Sequence, residues 1–395
     1  MRTKQTFMYG ARNLICAIAV VLALTITACD DGSDGGKTDP TDPTVTWPAD
    51  LTALHGQTLS AIPLASYVND GGTTGAFSWT TPGDSVGDLG RRSHNMTFTP
   101  ADTESYNTVT KDVDLAVRLM EMVKVTAGTF KMGSPDPEIN RGGSGGTQWD
   151  VTLTQDFYLG KYEITQKQWH TVMGTTIQEL NTAADPTIDA DYGRGDNYPV
   201  YWVSWYDALV FCNKLSVKEG LTPAYRIDGK TDPAEWGTVP TSSDATRDAA
   251  EIVAGSTGYR LPTEAQWEYA AKGGQNASDP YKIYSGSDTI GDVAWYDENS
   301  GDNGENGKSH EVGTKDPNEL GLYDMAGNIF EWCWDWWGEF PASEGTDPLG
   351  ASEHYGRVMR GGSFGNGELE ARAVVYCSPF YRVFTQGFRA LRPAP

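Results

Sequence analysis

The stretch YRLPTEAQWEYAAKGG, residues 259–274, contains a complete helix signal. Thr263, followed three residues later by Gln266, forms a capping box in which each side chain bonds the backbone N–H of the other residue. A tryptophan and several apolar residues come next, and Gly273 then supplies a stop. The stretch therefore predicts one short helix that begins after Thr263 and ends before Gly273.

Two earlier stretches of the chain carry the same signal. Their caps and stops are Thr165, Gln168 and Gly174 in one stretch, and Ser204, Asp207 and Gly220 in the other. Long stretches rich in Gly, Asp and Asn lie between and after these helices, and the chain has 45 Gly, 13 Trp and 19 Tyr. This composition predicts a domain with a modest sheet, few helices and many irregular loops held by aromatic side chains.

The length and the charge limit what the chain can be. With 395 residues it is long enough for two domains with real cores. Thirty Lys and Arg face 53 Asp and Glu, which gives a formal charge of −23. Such a charge argues against nucleic acid or an anionic membrane surface as a partner.

The N-terminus predicts export and a lipid anchor. A basic start precedes the apolar run LICAIAVVLALTITA, and residues 1–28 are predicted to be a signal peptide. The sequence ITAC that ends at Cys29 resembles the bacterial lipobox, by which Cys29 would carry the lipid of the mature chain. The alternative is ordinary secretion with an incidental cysteine. Residues 29–43 are polar and rich in Gly, Asp and Pro, and predict a flexible linker. We expect a bacterial envelope protein, lipid-anchored and exposed at the surface.

Residues 44–117 predict an all-β module. Short runs such as GAFSWT and HNMTFT alternate apolar and polar residues, with turn residues between them. The spacing is typical of a β-sandwich and is similar to small bacterial immunoglobulin-like modules. The expected core aromatics are Trp47, Trp79, Phe98 and Tyr106. The module could serve as a stalk or as a binding module.

From residue 120 to 395 the chain resembles the formylglycine-generating enzyme, or sulfatase-modifying factor, family. The resemblance implies an α+β domain with a variant of the C-type lectin fold. It is carried by seven motifs in the family order: VTAGTFKMGS (125–134), YLGKYEITQKQW (158–169), PVYWVSWYDALVFCNKLS (199–216), YRLPTEAQWEYAAKGG (259–274), NELGLYDMAGNIFEWCWDWW (318–337), RVMRGGSF (357–364) and GFR (387–389).

The same resemblance bears on catalysis. Family enzymes oxidise a substrate cysteine to formylglycine with oxygen, using a copper ion that two thiolates hold. Soft sulfur ligands select Cu(I). The matching positions here are Asn366 and Ala371, so bound copper is not expected. Ser363 matches a family active-site serine, although a Ser in a Gly-Gly-Ser turn more often bonds local backbone.

Other metal and thiol chemistry is limited. Cys212, Cys333 and Cys377 show no metal-binding spacing and are expected to be buried thiols, although one pair could bridge. His170, His310 and His354 are scattered singly and predict surface or satisfied polar residues.

Calcium is a candidate cofactor, by resemblance to a family site. The side chain of Asp324 and the backbone oxygens of Met325, Gly327 and Ile329 would hold it. The alternative is a turn that Asp324 stabilises without a metal.

The C-terminal segment predicts a ligand-binding face, because aromatic and arginine side chains are enriched at recognition sites. Packing in the core is the alternative role for its rings. The candidate residues are Phe364, Asn366, Arg372, Tyr376, Phe380, Tyr381, Arg382 and Phe384. Certain relatives of the family are variable surface proteins in which a retroelement rewrites this segment, and the layout here resembles theirs.

Three functions follow from these observations. The favoured one is a non-catalytic surface protein that binds a protein or glycan. The others are a formylglycine-generating oxidase and a scaffold within an envelope complex.

Overall fold

The structure is a computed structural model. It describes residues 38–133, 148–184, 186–187, 191–278, 280–301, 307–338, 345–352, 355–368 and 374–395. The predicted signal peptide, Cys29, Ala371, Arg372 and His354 lie outside these residues. In the part of the chain that is described, no helix has the length and apolar character needed to cross a membrane.

The N-terminal region forms one four-stranded sheet in the order β1-β4-β3-β2. β1 runs parallel to β4, and the other neighbours are antiparallel. The strands are β1 Leu51–Leu54, β2 Gly75–Trp79, β3 Gly90–Pro100 and β4 Val109–Arg118. The predicted sandwich of two facing sheets is therefore corrected, because the strands described in 44–117 build a single sheet.

Irregular chain covers the face of this sheet where a second sheet was expected. Leu59 and Val86 lie in the connections that flank β2, and both are fully buried in one cluster with Trp79. The indole N–H of Trp79 donates to the Ile62 carbonyl at 3.4 Å. These connections bury the apolar face of the sheet, which a second sheet would otherwise cover. Of the expected core aromatics, Trp79 and Phe98 are buried.

The described residues of the larger region form four small sheets, in the orders β13-β12-β11-β14, β15-β8-β5, β6-β7 and β10-β9. Their strands are β5 Met122–Val125, β6 Gly128–Met132, β7 Trp149–Leu153, β8 Phe157–Gly160, β9 Tyr225–Arg226, β10 Glu251–Ile252, β11 Phe330–Trp336, β12 Arg357–Arg360, β13 Val374–Cys377, β14 Gln386–Gly387 and β15 Leu391–Pro393.

The three predicted helices are present, and all three capping boxes are formed. The α-helices are α1 Gln166–Met173, α2 Ile177–Ala184, α3 Trp205–Lys218, α4 Ala245–Asp248, α5 Glu264–Ala271 and α6 Ile290–Val293. Gly174 is the left-handed C-cap of α1, as predicted. Gly220 and Gly273 follow the C-caps of α3 and α5, and both have positive φ. Local capping chemistry thus decided where these helices begin and end.

A buried arginine ties the last motif to the centre of the domain. The Arg389 guanidinium is fully buried and donates to both carboxylate oxygens of Glu331, at 2.6 to 2.9 Å. It also donates to the carbonyls of Gly160 and Tyr323, at 2.9 and 2.8 Å. Glu331 accepts a further bond from the Trp267 indole at 2.6 Å. The pair is fully hydrogen-bonded, so breaking it would cost about 3 to 5 kcal/mol.

The two regions meet at a buried carboxylate at the end of α3. Glu219 accepts from Arg118 Nη1 at 2.9 Å, from the Leu119 N–H at 2.8 Å and from the Tyr259 hydroxyl at 2.8 Å. One apolar cluster continues from β1 and β4 into α3 and β11. The N-terminal sheet is therefore packed onto the larger region.

Candidate functional site

The glycine-rich turn after β12 is fixed by backbone hydrogen bonds to the loop before β11. Gly361 has a φ of 94°, in the left-handed region that favours glycine. Its carbonyl accepts from the Gly327 N–H at 2.7 Å. The Phe364 N–H donates to the Asn328 carbonyl at 2.8 Å. Contacts on both sides thus hold Ser363 in place.

Ser363 and Asn366 form a closed pair in this turn. Ser363 is 1% exposed, and its hydroxyl donates to Asn366 Oδ1 at 2.6 Å. The Asn366 N–H donates back to the Ser363 carbonyl at 3.1 Å, and the Asn366 carbonyl accepts from the Asp297 N–H at 3.0 Å. The serine hydroxyl therefore serves the turn. Asn366, predicted to contact a ligand, is half-buried and bonded within the same turn.

An aromatic cluster beside the turn contains two of the residues that were predicted to form the ligand-binding face. Phe364 is 2% exposed, so its assignment to an exposed face is corrected. Phe384 is half-buried and stacks on Tyr192, with centroids 4.2 Å apart and planes 13° apart. Trp202 packs edge-on against both Phe384 and Tyr192. Rings from three separate segments of the chain thus pack against each other.

Tyr192 and Trp202 were not found from the sequence as part of this cluster. Trp202 has a φ of 60°, which is uncommon for a bulky residue. Its indole N–H is buried without a hydrogen-bond partner among the residues described. Neither the strained backbone nor the long-range stacking has a local sequence signal.

Arg382 is an internal anchor, which corrects its predicted contact with a ligand. Its guanidinium donates to both oxygens of Asp207, at 2.7 and 2.9 Å. The two side chains are only 15% and 7% exposed. Asp207 also accepts from the N–H and hydroxyl of Ser204, the N-cap of α3. Arg382 therefore fixes the segment after β13 to the start of α3.

The tip of that segment remains accessible. Tyr381 is 54% exposed, and its ring lies against Phe380 with centroids 4.6 Å apart. The Pro379 carbonyl accepts from the Tyr206 N–H at 3.4 Å, which anchors the chain just before these rings. Phe380 and Tyr381 thus form a supported aromatic tip.

Tyr376 lies apart, in what we call the tyrosine patch, composed of Trp337, Tyr355 and Tyr376. Tyr376 is 41% exposed and Tyr355 is 67% exposed. Their ring centroids are 5.5 Å apart and their hydroxyl oxygens are 3.1 Å apart. The Trp337 ring lies 5.0 Å from that of Tyr376. The prediction of Tyr376 rested on its own segment alone and missed Trp337 and Tyr355.

The described histidines and cysteines do not gather at one place. His310 stacks on Trp295 with centroids 3.7 Å apart, and its Nε2 bonds the Ser300 carbonyl at 3.1 Å. Burial lowers the pKa of His310 and raises that of the Cys212 thiol. Among the residues described, all three cysteines are free, and no three His, Cys, Asp or Glu side chains are grouped to hold a metal ion.

The sulfatase-modifying factor enzyme 1-like domain matches residues 108–394, which is most of the chain. The chain belongs to this family. The match begins one residue before β4, so it includes the whole strand that joins the two regions.

Two proteins that are similar to this chain carry different names. The chain is 39% identical over 229 residues to the chaperone protein LppX of Paenibacillus barcinonensis, covering 55% of this chain and 71% of that one. It is 27% identical over 300 residues to the formylglycine-generating enzyme of Thermomonospora curvata, covering 62% and 82%.

Solved structures show the same fold. Treponema denticola variable protein 1 is 33% identical and superposes with a TM-score of 0.58, over 76% of this chain and 99% of that one. The crystal structure of CarF is 25% identical, with a TM-score of 0.50 over 70% and 99%. The fold predicted for the larger region by its resemblance to the sulfatase-modifying factor family is thereby confirmed.

The residues present do not fit the family's copper. Asn366 offers an amide whose oxygen already accepts from Ser363, and an amide is a hard ligand that Cu(I) does not favour. The second matching position is Ala371, which lies outside the described residues and whose methyl side chain cannot coordinate a metal.

The predicted calcium loop is closely packed. Asp324 is 3% exposed, has a φ of 55° and accepts from the Gly313 N–H at 2.7 Å. Burial raises the pKa of Asp324 to about 6. Met325 and Gly327 follow in the same loop. Because the expected ligands are one carboxylate and several carbonyls, the side-chain groupings above do not test this site, and calcium stays a prediction.

A second buried carboxylate lies against the same loop. Glu163 accepts from the Ile329 N–H at 3.1 Å and from the Asn328 side-chain amide at 2.7 Å. Burial raises the pKa of Glu163 well above its usual value, and the nearby charge of Asp324 adds to that effect. Glu163 lies in the motif YLGKYEITQKQW but was not among the predicted ligands, although oxygen donors of this kind suit calcium.

Proposed function

We propose that this chain is a non-catalytic surface protein of a bacterial envelope whose sulfatase-modifying factor domain binds a protein or glycan. The observation that carries the proposal is the Ser363–Asn366 pair. At a position where family enzymes hold copper through sulfur, an asparagine side chain closes the turn by accepting a hydrogen bond. The fold is thus kept while the residues needed for oxidation are missing.

Two exposed aromatic features support a binding role. They are the tip formed by Phe380 and Tyr381, and the patch that contains Tyr376. Tyr376, Phe380 and Tyr381 belong to the C-terminal segment, and large exposed rings on a fixed backbone are typical of recognition surfaces. Half-buried Arg382 and buried Phe364 would act beneath this surface by holding the segment in place.

The relatives are compatible with such a role. The name of the 39% identical LppX protein describes a chaperone, and a chaperone acts by binding. The neighbour from Treponema denticola is named a variable protein, which fits a segment that changes to accommodate different ligands. A near-repeat of the codons for 364–389 beside a reverse transcriptase gene would support diversification in this chain, and its absence would remove that part.

Localisation completes the proposal. Lipid at Cys29 would tether the chain, and the polar residues 29–43 would space the folded part from the membrane. The N-terminal sheet would then act as a stalk, because its contacts through Glu219 hold it against the binding domain. Calcium at the Asp324 loop would stabilise the base of the domain.

The alternative is a formylglycine-generating oxidase, favoured by 27% identity to the Thermomonospora curvata enzyme. Mature chain, Cu(I) and a Cys-x-Pro-x-Arg peptide would be combined under oxygen, and the peptide analysed by mass spectrometry. We expect no aldehyde and no stoichiometric copper. The matched variant Asn366→Cys with Ala371→Cys restores two sulfurs at the family positions, and tighter Cu(I) binding by it alone would support the proposal. Aldehyde formed by the natural chain would overturn it.

Binding is tested separately. The mature chain would be screened against envelope proteins and a glycan array, beside a Phe380→Ala/Tyr381→Ala variant. Tyr381 is exposed and Phe380 is half-buried against the apolar core, so circular dichroism would check the fold of the variant, which should lose the ligand. A ligand retained in full by this variant would exclude the aromatic tip as the binding surface.

A further inference from the structure

The tyrosine patch is built as a rigid surface. Tyr376 pairs with Val358 across β12 and β13, and Val358 is 1% exposed. Side chains alternate along a strand, so Val374 stands on the same face as Tyr376. Val358 belongs to the buried cluster against which Val374 and Trp337 pack. Tyr376 and Trp337 therefore lie against a largely buried aliphatic base, which reduces the entropy lost when a ligand binds.

The sequence that contains Trp337 and Tyr355 is acidic. Residues 316–356 contain nine Asp or Glu and no Lys or Arg, and three of the nine, Asp324, Glu331 and Asp335, are buried. The whole chain has a formal charge of −23. A field of this sign attracts cations and repels anions during encounter.

Exposed aromatic faces add a short-range attraction that also favours cations. The face of an aromatic ring carries partial negative charge and attracts a guanidinium or ammonium group. The same sheet already uses this chemistry internally. The Arg357 guanidinium lies 3.8 Å from the ring centroid of Trp205 and 3.5 Å from that of Trp336.

We propose that the tyrosine patch binds arginine and lysine side chains of a basic protein segment. The inference rests on the proposed function, and names the chemistry of the partner at one of its two exposed aromatic features. A neutral glycan could stack on the same rings, but it would gain nothing from the acidic surroundings. The combination of exposed ring faces and a net negative charge of the chain therefore favours a cationic partner.

The test uses the full mature chain and a peptide of alternating Arg and Gly. A peptide with citrulline in place of Arg is the matched probe, since it keeps the shape and removes the charge. Titration calorimetry should show that the Arg peptide binds and the citrulline peptide does not, with binding weakened by salt. Tyr355→Ala and Tyr376→Ala should each weaken binding about two- to fivefold. Tyr376→Phe should bind as the natural chain does, because it keeps the ring face.

Controls separate the patch from the general charge of the protein. Ile283→Ala removes a side chain that is 49% exposed and outside the patch, and should leave the affinity unchanged. Far-ultraviolet circular dichroism would verify the fold of every variant. Equal affinity of the alanine variants and the natural chain for the Arg peptide would refute the proposal, since attraction would then come from the acidic surface alone.

Two further outcomes would also overturn it. One is equal binding of the Arg and citrulline peptides. The other is a neutral oligosaccharide that binds the natural chain and is lost in Tyr355→Ala, with no binding of the Arg peptide. Either outcome would be compatible with the proposed function. Aldehyde formation in the copper assay would overturn that function and would not test the patch.

Discussion

Replacing Arg382 distinguishes an internal anchor from a ligand contact. In Arg382→Ala the two charge-assisted hydrogen bonds to Asp207, at 2.7 and 2.9 Å, are lost from a site where the side chains are 15% and 7% exposed. Removing one partner of a buried pair commonly costs about 3 to 5 kcal/mol. Asp207 keeps its bonds from Ser204, so the carboxylate is not left unpaired. We therefore expect a loss of about 2 to 3 kcal/mol in the free energy of unfolding.

The assay is urea unfolding of the mature chain, followed by tryptophan fluorescence and circular dichroism. A double-mutant cycle with Asp207→Asn should give a coupling free energy of about 1.5 to 3 kcal/mol, because the residues contact each other directly. Arg91→Ala is the matched control. The Arg91–Asp114 pair has a 3.8 Å separation and side chains 75% and 66% exposed, so its loss should change stability little.

The structural interpretation of Arg382 fails under one clear result. That result is an Arg382→Ala protein with the stability of the natural chain, no coupling to Asp207, and complete loss of a ligand that the natural chain binds. Arg382 would then contact the ligand directly. Partial loss of ligand together with lower stability is the result that an anchor predicts.

Three other measurements test separate features. Burial alone would raise the pKa of Glu268, but Lys272 and Arg360 outweigh it and hold the pKa at about 2. Because the pKa of Glu268 in the folded protein lies below its ordinary value, the ionised carboxylate stabilises the fold fully above about pH 4.5. This contribution to the free energy of unfolding, about 3 kcal/mol, is lost as the pH falls toward 2. Unfolding midpoints measured against pH should show it in the natural chain and not in Glu268→Gln. Cys29→Ser should release the chain from the membrane fraction on ultracentrifugation, and unchanged fractionation would contradict the lipid anchor. If calcium binds as proposed, its addition should raise the melting temperature of the natural chain and not that of Asp324→Asn, and equal shifts would place the ion elsewhere.

Features encoded over a few residues were predictable. The capping boxes of α1, α3 and α5 formed as expected, since both partners lie within one turn of helix. The fold of the larger region followed from seven ordered motifs, and the family match confirms it. Ser363 was expected to bond local backbone, and its hydroxyl does accept from the Gly365 N–H at 3.4 Å, but it also donates to the side chain of Asn366, which was not predicted.

Errors arose where the partner is far away in the chain. Alternating strands over 44–117 predicted two sheets, but the connections around β2 pack on the single sheet and take the place of the second. Arg382 looked like an exposed recognition residue because Asp207, its partner, lies 175 positions earlier. Asp207 had already been assigned to a helix cap, and nothing local showed that it also holds an arginine.

The amino-acid sequence by itself determined the boundaries of α1, α3 and α5, the family of the domain and the absence of sulfur at the positions where family enzymes hold copper, because each depends on residue identity at short or ordered spacing. Only the tertiary structure decided which aromatic rings are buried and which are exposed. It enclosed Phe364 beside Tyr192 and joined Tyr376 to Tyr355 and Trp337. The physical reason is that burial and stacking depend on contacts between segments that are distant in the chain. The hydrophobicity of one segment is the same whether its aromatic rings lie in the core or at a binding surface.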